Sequence, residues 1–239
     1  MILLDVGNSR IKWAHCQAGV WQQHGAVERT AWPDLRETFM QLPTPPRILV
    51  SNVAGPAGQQ AVRGLCAHWA VVPEYVTAKA QQCGVSNGYE VPQQLGSDRW
   101  AALIAAWQRV RGACLVVNCG TATTVDALSG EGRFLGGLIL PGVSLMSRCL
   151  AQHTAQLTTA AGQCRAFPTN TADALASGAL AATAGAIERQ FARLTAQTGG
   201  ARCLISGGAA ALVMSQLGGA AEQVDDLVLH GLQQIGEQG

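Results

Sequence analysis

Two short stretches of this sequence carry the residue types that hold phosphate. Asp5-Val6-Gly7-Asn8-Ser9 and Asn118-Cys119-Gly120-Thr121-Ala122 each close an apolar run with a polar residue, a glycine and a short polar side chain. Glycine lets the backbone turn tightly and approach a ligand, and amide hydrogens beside Ser or Thr hydroxyls bind phosphate oxygens. An aspartate at the end of such a run holds a hydrated Mg²⁺ that bridges phosphates. Lys12 follows the first stretch and brings a compact positive charge; only two lysines stand against fourteen arginines. Ser206-Gly207-Gly208-Ala209 is a third small-residue turn, along which a base or ribose could lie close to the backbone. Two phosphate turns on related halves would grip a polyphosphate from opposite sides.

A plainer reading stands beside each motif. A single D-x-G-x-S turn is ordinary hairpin punctuation, and only its second copy argues for a shared task. Neither GxxxxGK[ST] nor GxGxxG occurs, so the P-loop and Rossmann routes to a nucleotide are absent. In Gly96-Ser97-Asp98-Arg99 the carboxylate of Asp98 could serve as base or orienter for an acceptor hydroxyl, yet Ser97 or Asp98 just before a helix also reads as an N-cap. Arg99 suits a substrate carboxylate or a helix surface. Tyr89 reads equally as a loop anchor, and Thr171 as the cap of a helix that starts at Ala172.

The elements that must position these residues follow from apolar periodicity. Strands are expected over residues 1–6, 10–16 and 20–27, a helix over 33–42, a strand over 47–53, a helix over 57–69 and a strand over 70–76. A long loop over 79–95 leads to a helix over 100–111. The pattern then restarts with strands from Ala113, through Val125 and over 133–140, helices over 142–153 and 172–198, and a strand over 202–206. A short strand at Leu227 to Leu229 is expected before a final helix. ILLDVGNS aligns on LVVNCGTA with Gly7 on Gly120, an offset of 113 residues, so the sequence reads as an internal duplication. The expected fold is α/β, two similar mixed-sheet domains, residues 1–112 and 113–239, facing across a cleft.

Composition excludes several classes. With 48% hydrophobic and 13% charged residues, the chain is far from a disordered polyelectrolyte. A net charge of +1, without a like-charge run, offers no field for a nucleic-acid backbone. No apolar stretch approaches the roughly 18–20 residues of a membrane span, and the N-terminus lacks the pattern of a signal peptide. A cytoplasmic protein without nucleic-acid or membrane partners is expected. The eight cysteines form no CxxC pair and read as buried, reduced thiols.

Six stretches taken together carry a resemblance: DVGNSRIKW at the N-terminus, Gly88-Tyr89 with Pro92, GSDRW from Gly96, GTATTVD from Gly120, GGLILPG from Gly136 and NTADAL from Asn170. They resemble the superfamily of sugar kinases, heat-shock chaperones and actin, and more closely the type III pantothenate kinases, a family that includes the Bvg accessory factors. The resemblance covers essentially the whole chain. It implies a duplicated fold of the ribonuclease H-like, actin-like ATPase kind and ATP-dependent phosphorylation of pantothenate to 4′-phosphopantothenate, the entry step of coenzyme A synthesis. It implies that Asp5, Val6, Gly7, Asn8, Ser9, Arg10, Ile11 and Lys12 form the first ATP loop, with Asp5 holding Mg²⁺ through water, and that Thr121 contacts ATP. Tyr89, Gly96, Ser97, Asp98, Arg99 and Thr171 would line the pantothenate site, with Asp98 as the base. A homodimer and a monovalent cation, K⁺ or NH₄⁺, are implied as well.

The chain departs from the family at one position. Many relatives carry aspartate where Asn118 stands, the position associated with the monovalent cation, and the lost charge should weaken or alter that requirement. A non-catalytic nucleotide-binding accessory or regulatory protein is the alternative reading. Retention of Asp5, Lys12, Asp98 and Arg99 together favours the kinase, and a generic sugar kinase would be longer.

Overall fold

The structure is a computed structural model and describes residues 1–153, 162–219 and 221–238. In chain order it runs β1 (Ile2–Val6), β2 (Arg10–Gln17), β3 (Val20–Glu28), α1 (Trp32–Met40), β4 (Ile48–Asn52), α2 (Gly55–Cys66) and β5 (Glu74–Tyr75). A two-stranded ribbon, β6 (Gln81–Gln82) and β7 (Val85–Ser86), precedes α3 (Ser97–Val110). There follow β8 (Cys114–Cys119), β9 (Ala122–Leu128), β10 (Phe134–Pro141), α4 (Val143–His153), α5 (Thr171–Thr198), β11 (Arg202–Ser206), α6 (Ala210–Met214), β12 (Glu222–Gln223) and α7 (Leu227–Gln238).

Two five-stranded sheets repeat one topology. The first has the order β3-β2-β1-β4-β5 and the second β10-β9-β8-β11-β12. In each, two antiparallel hairpins are followed by two parallel pairings. Leu4 and Val6 of β1 correspond to Val117 and Cys119 of β8, and in both sheets this face packs against helices of the same unit. Ile2, Leu4, Val6, Ile11 and Val50 pack with Leu35, Phe39, Val62 and Leu65 of α1 and α2. Leu115, Val117, Cys119 and Ile205 pack with Leu180, Ile187 and Val213 of α5 and α6. Alternation along the strand therefore places Asp5 and Asn118 on the opposite face of each sheet.

The chain divides into one unit of Met1–Arg109 with Asp226–Gly239 and another of Val110–Asp225. This corrects the expected boundary at its C-terminal side, because residues 113–239 are not one contiguous body. Helix α7 returns to the first unit and packs on β1, β2 and β4. Its Leu227, Leu229, Leu232 and Ile235 are buried, as are Leu3, Ala14 and Leu49 on the side of the sheet away from α1 and α2. Leu227 to Leu229 therefore open a helix, and the last strand is Glu222–Gln223. The strand expected over residues 70–76 shrinks to Glu74–Tyr75, because Pro73 cannot donate to a ladder and Val72 stays 85% exposed. Helix α3 starts at Ser97, three residues earlier than expected.

Gly231 marks where α7 crosses α3. A Cβ there would sit 1.8 Å from the carbonyl oxygen of Ala101, which is backbone and cannot rotate away. Gly231→Ala must part the two helices and should destabilise the first unit by roughly 1–3 kcal/mol, the cost of overpacking a tight core. Urea unfolding followed by far-UV circular dichroism measures it; an unchanged midpoint would show that the crossing is loose.

The buried cysteines behave as apolar core residues. Burial pushes the thiols of Cys66, Cys114 and Cys119 up to about 12 and that of Cys203 up to about 11, so none is a thiolate at neutral pH.

Candidate functional site

In the first unit the hairpin register sets Asp5 opposite Lys12 and the parallel register sets Asp5 beside Ser51. Lys12, Asp5 and Ser51 thus form one row across β2, β1 and β4, on the face away from α1 and α2. The Ser51 hydroxyl lies 2.9 Å from that of Ser97, both buried, which ties the start of α3 to this row. Asp98, in the first turn of α3, lies near enough to Asp5 for the two carboxylates to repel.

The charges in this cluster are only partly compensated. Burial, with Asp98 and Asp226 adding to it and Lys12 opposing it, pushes the Asp5 carboxyl up to about 7. Burial also raises Asp98, against the lowering effect of the Arg99 amide and guanidinium. The Asp98 carboxylate accepts from the Arg99 amide at 2.8 Å, one of the amides a helix start leaves unpaired. Ser97 directs its hydroxyl to Ser51, and α3 already starts at Ser97 with the Gly96 carbonyl accepting from the Trp100 amide, so neither Ser97 nor Asp98 is the cap that was expected. A Cβ on Gly96 would fall 2.6 Å from the Asp98 carboxylate, so glycine at this position makes room for it.

Arg99 is only 6% exposed and donates to the Tyr89 hydroxyl at 3.0 Å. The neighbouring loop is shaped by Asn87, whose side chain accepts from the Tyr89 amide and donates to the Pro92 carbonyl. Tyr89, Arg99 and Asp98 are therefore brought to one end of α3.

The first turn is exposed at Asn8, Ser9 and Arg10, while the side chains of Val6 and Ile11 belong to the core and leave only their backbone for a ligand. The Gly7 amide donates to the Arg10 carbonyl, and the Arg29 guanidinium donates to the Asn8 carbonyl at 2.7 Å. Lys12 does not pair with Asp5, its register partner. Its ammonium lies 2.9 Å from Asp226, the residue just before α7. Sequence reasoning missed Asp226 and Ser51. For Asp226 the available signal was an acidic residue directly before LVLHGL, the pattern of a helix start.

The second unit repeats the frame with neutral residues. Asn118 pairs in register with Thr124 and Ser206, where the first unit has Lys12 and Ser51 around Asp5. Gly207 has φ +100°, and a Cβ there would lie 2.5 Å from the Cys119 carbonyl oxygen and 2.8 Å from the Asn118 side-chain oxygen. Only glycine fits so close to the end of β8 in that backbone conformation. Thr121 is exposed in the second turn. Thr171 is the first residue of α5, whose cap is Asn170: its side chain accepts from the Asp173 amide, which corrects the expected cap by one residue.

The sequence pattern described as type III pantothenate kinase matches residues 1–193. A type III pantothenate kinase from Nitrosospira multiformis is 44% identical over 239 residues, spanning 100% of this chain and 91% of the relative. One from Aromatoleum aromaticum is 47% identical over 232 residues, 97% and 96% of the two chains. Among solved structures, a protein from Campylobacter jejuni assigned to the Baf family of transcriptional activators superposes with TM-score 0.57 at 19% identity, over 99% of this chain and 98% of that one. One from Sinorhizobium meliloti assigned as a 2-dehydro-3-deoxygalactonokinase gives 0.62 at 15%, over 99% and 98%. At those identities the likeness concerns the fold, which is the actin-like ATPase fold of the sugar kinases.

Proposed function

This chain belongs to the type III pantothenate kinase family, and on that premise we propose that Asp98 is the base for its reaction and Asp5 to Lys12 its phosphate loop. The reaction is ATP-dependent phosphorylation of pantothenate, in the synthesis of coenzyme A. The observation that carries the assignment is the convergence of Asp5, Lys12 and Asp98 at one end of the first sheet, joined through Ser51 and Ser97.

In this reading the pantothenate hydroxyl gives its proton to the Asp98 carboxylate as its oxygen attacks the γ-phosphorus, and ADP leaves with the former bridging oxygen. Asp98 suits the task because its raised pKa brings it closer to the pH at which it works. Arg99 and Tyr89 line the acceptor side, where the buried guanidinium suits the pantothenate carboxylate. The Lys12 ammonium and the amides of the first turn receive phosphate oxygens.

The Asp5 carboxylate fits a hydrated Mg²⁺, because it is half-buried beside two other acids, Asp98 and Asp226, with Lys12 opposing them. Bound there through water, the ion supplies charge neutralisation for the phosphates. A second copy of the chain completes the enzyme in this reading, and the apolar residues exposed on edge strand β10, with Ile139 at 64%, support it. For the monovalent cation, Asn118 offers a carbonyl oxygen within a row of neutral neighbours, Thr124 and Ser206. A weakened dependence on K⁺ follows.

A coupled ADP-release assay with ATP, Mg²⁺ and pantothenate, with and without K⁺ or NH₄⁺, tests both points. Pantothenate-dependent turnover that changes by no more than a few-fold on cation removal is expected. Full dependence on K⁺ overturns the Asn118 argument, and ATP binding without turnover under any cation favours the accessory-protein alternative.

A further inference from the structure

We propose that Asp226 is a positioning residue for the phosphate end of the site: its carboxylate draws the Lys12 ammonium away from Asp5 and holds it ready for ATP. The inference rests on the kinase reading of Asp5 and Lys12 given above. In the hairpin register Lys12 stands directly opposite Asp5, where a lysine and an aspartate would ordinarily pair. Its ammonium instead meets Asp226 at 2.9 Å, with both side chains about three-quarters buried, at 26% and 24% exposure. A Lys12–Asp5 pair would occupy the very carboxylate that has to face the cation. The Asp226 pair leaves that carboxylate open and fixes a flexible four-carbon stem in one place, with further N–H donors of the ammonium free for phosphate oxygens.

Two other features point to the same role. Asp226 has φ +52°, a left-handed conformation that aspartate and asparagine tolerate better than most residues. It is also the residue at which the chain re-enters the first unit, and its carbonyl accepts from His230 in the first turn of α7. At the matching register position of the second sheet, opposite Asn118, stands Thr124, which needs no counter-charge.

The test is a double-mutant cycle of Asp226→Asn with Lys12→Met. Asn keeps the left-handed backbone and the shape while removing the charge, and Asp226→Gly repeats the test without any side chain. Each is expected to raise the KM for MgATP about tenfold, the scale of one charge-assisted contact, with a smaller change in kcat and an unchanged melting temperature. On the Lys12→Met background the same change should have no further effect, because Asp226 acts through Lys12. Additive losses, or an unchanged KM in both variants, overturn the proposal, since a merely structural role at the start of α7 would lower stability independently of Lys12. If the wild type binds MgATP without phosphorylating pantothenate, the kinase reading fails, and the cycle read on the calorimetric Kd for MgATP still decides the role of Asp226. A wild type that binds no MgATP overturns both.

Discussion

Asp98→Asn is expected to lower pantothenate-dependent turnover by about 10²- to 10⁴-fold, the range for loss of a positioned general base, while MgATP binding stays within a few-fold of wild type. The split follows from where the residue stands. Asp98 stands in the first turn of α3 beside Arg99 and Tyr89, the side proposed for the acceptor, and the turn proposed for phosphate lies on the β1–β2 hairpin. Asparagine keeps an oxygen for the Arg99 amide, so the start of α3 retains its hydrogen bond. It also removes a carboxylate that burial disfavours, so stability should hold or rise. Steady-state turnover, calorimetric ATP binding and thermal melting of the one variant separate these effects. Near-wild-type turnover would remove Asp98 from the chemistry and leave it as part of a helix start.

The second large effect has opposite signs in activity and stability. Asp5→Asn should abolish most turnover if, as proposed, this carboxylate holds the hydrated cation. It should also stabilise the protein in neutral and mildly alkaline solution free of Mg²⁺. An unfolded aspartate releases its proton near pH 3.9, whereas Asp5 in the folded chain keeps it until about pH 7. Between those values the folded state binds the extra proton. The contribution of Asp5 to stability is therefore greatest below about pH 4, falls as pH rises towards 7, and is level beyond. At about 1.4 kcal/mol per unit, the folded carboxylate costs on the order of 4 kcal/mol above pH 7. Asparagine has no proton to release and escapes this loss. Urea midpoints of the two proteins, measured in chelator, should coincide near pH 4 and separate above pH 7 with the variant the more stable. Equal midpoints at both ends would mean that Asp5 is well solvated or fully offset by Lys12. A site that costs the fold stability until its ligand arrives is a familiar outcome of selection for function.

Much of this was legible in the chain because strand alternation and turn chemistry are local. The strand at residues 202–206 and both glycine turns lie where the apolar runs and glycines put them. The six family stretches brought Tyr89, Asp98 and Arg99 into consideration, and packing around α3 brings those three together. What escaped depended on distance along the chain. Leu227 to Leu229 is an apolar run too short for periodicity to separate strand from helix, and only its burial against β1, β2 and β4 decides for α7. The contact of Asp226 with Lys12 escaped with it, since nothing local to that residue announces Lys12, more than two hundred positions earlier. The Ser51–Ser97 contact was hidden for the same reason.

The return of α7 to the first unit also sets an order of events during synthesis. A chain emerging from the ribosome ordinarily folds its N-terminal part first. Here Leu3, Ala14 and Leu49 lack their cover until residues 227–238 have been made. The first unit can form its hairpins and the α1–α2 side early, but its other face stays open while the whole of the second unit is translated. Lys12 gains its partner Asp226 only when that residue arrives, so this ion pair is among the last parts of the nascent protein to form.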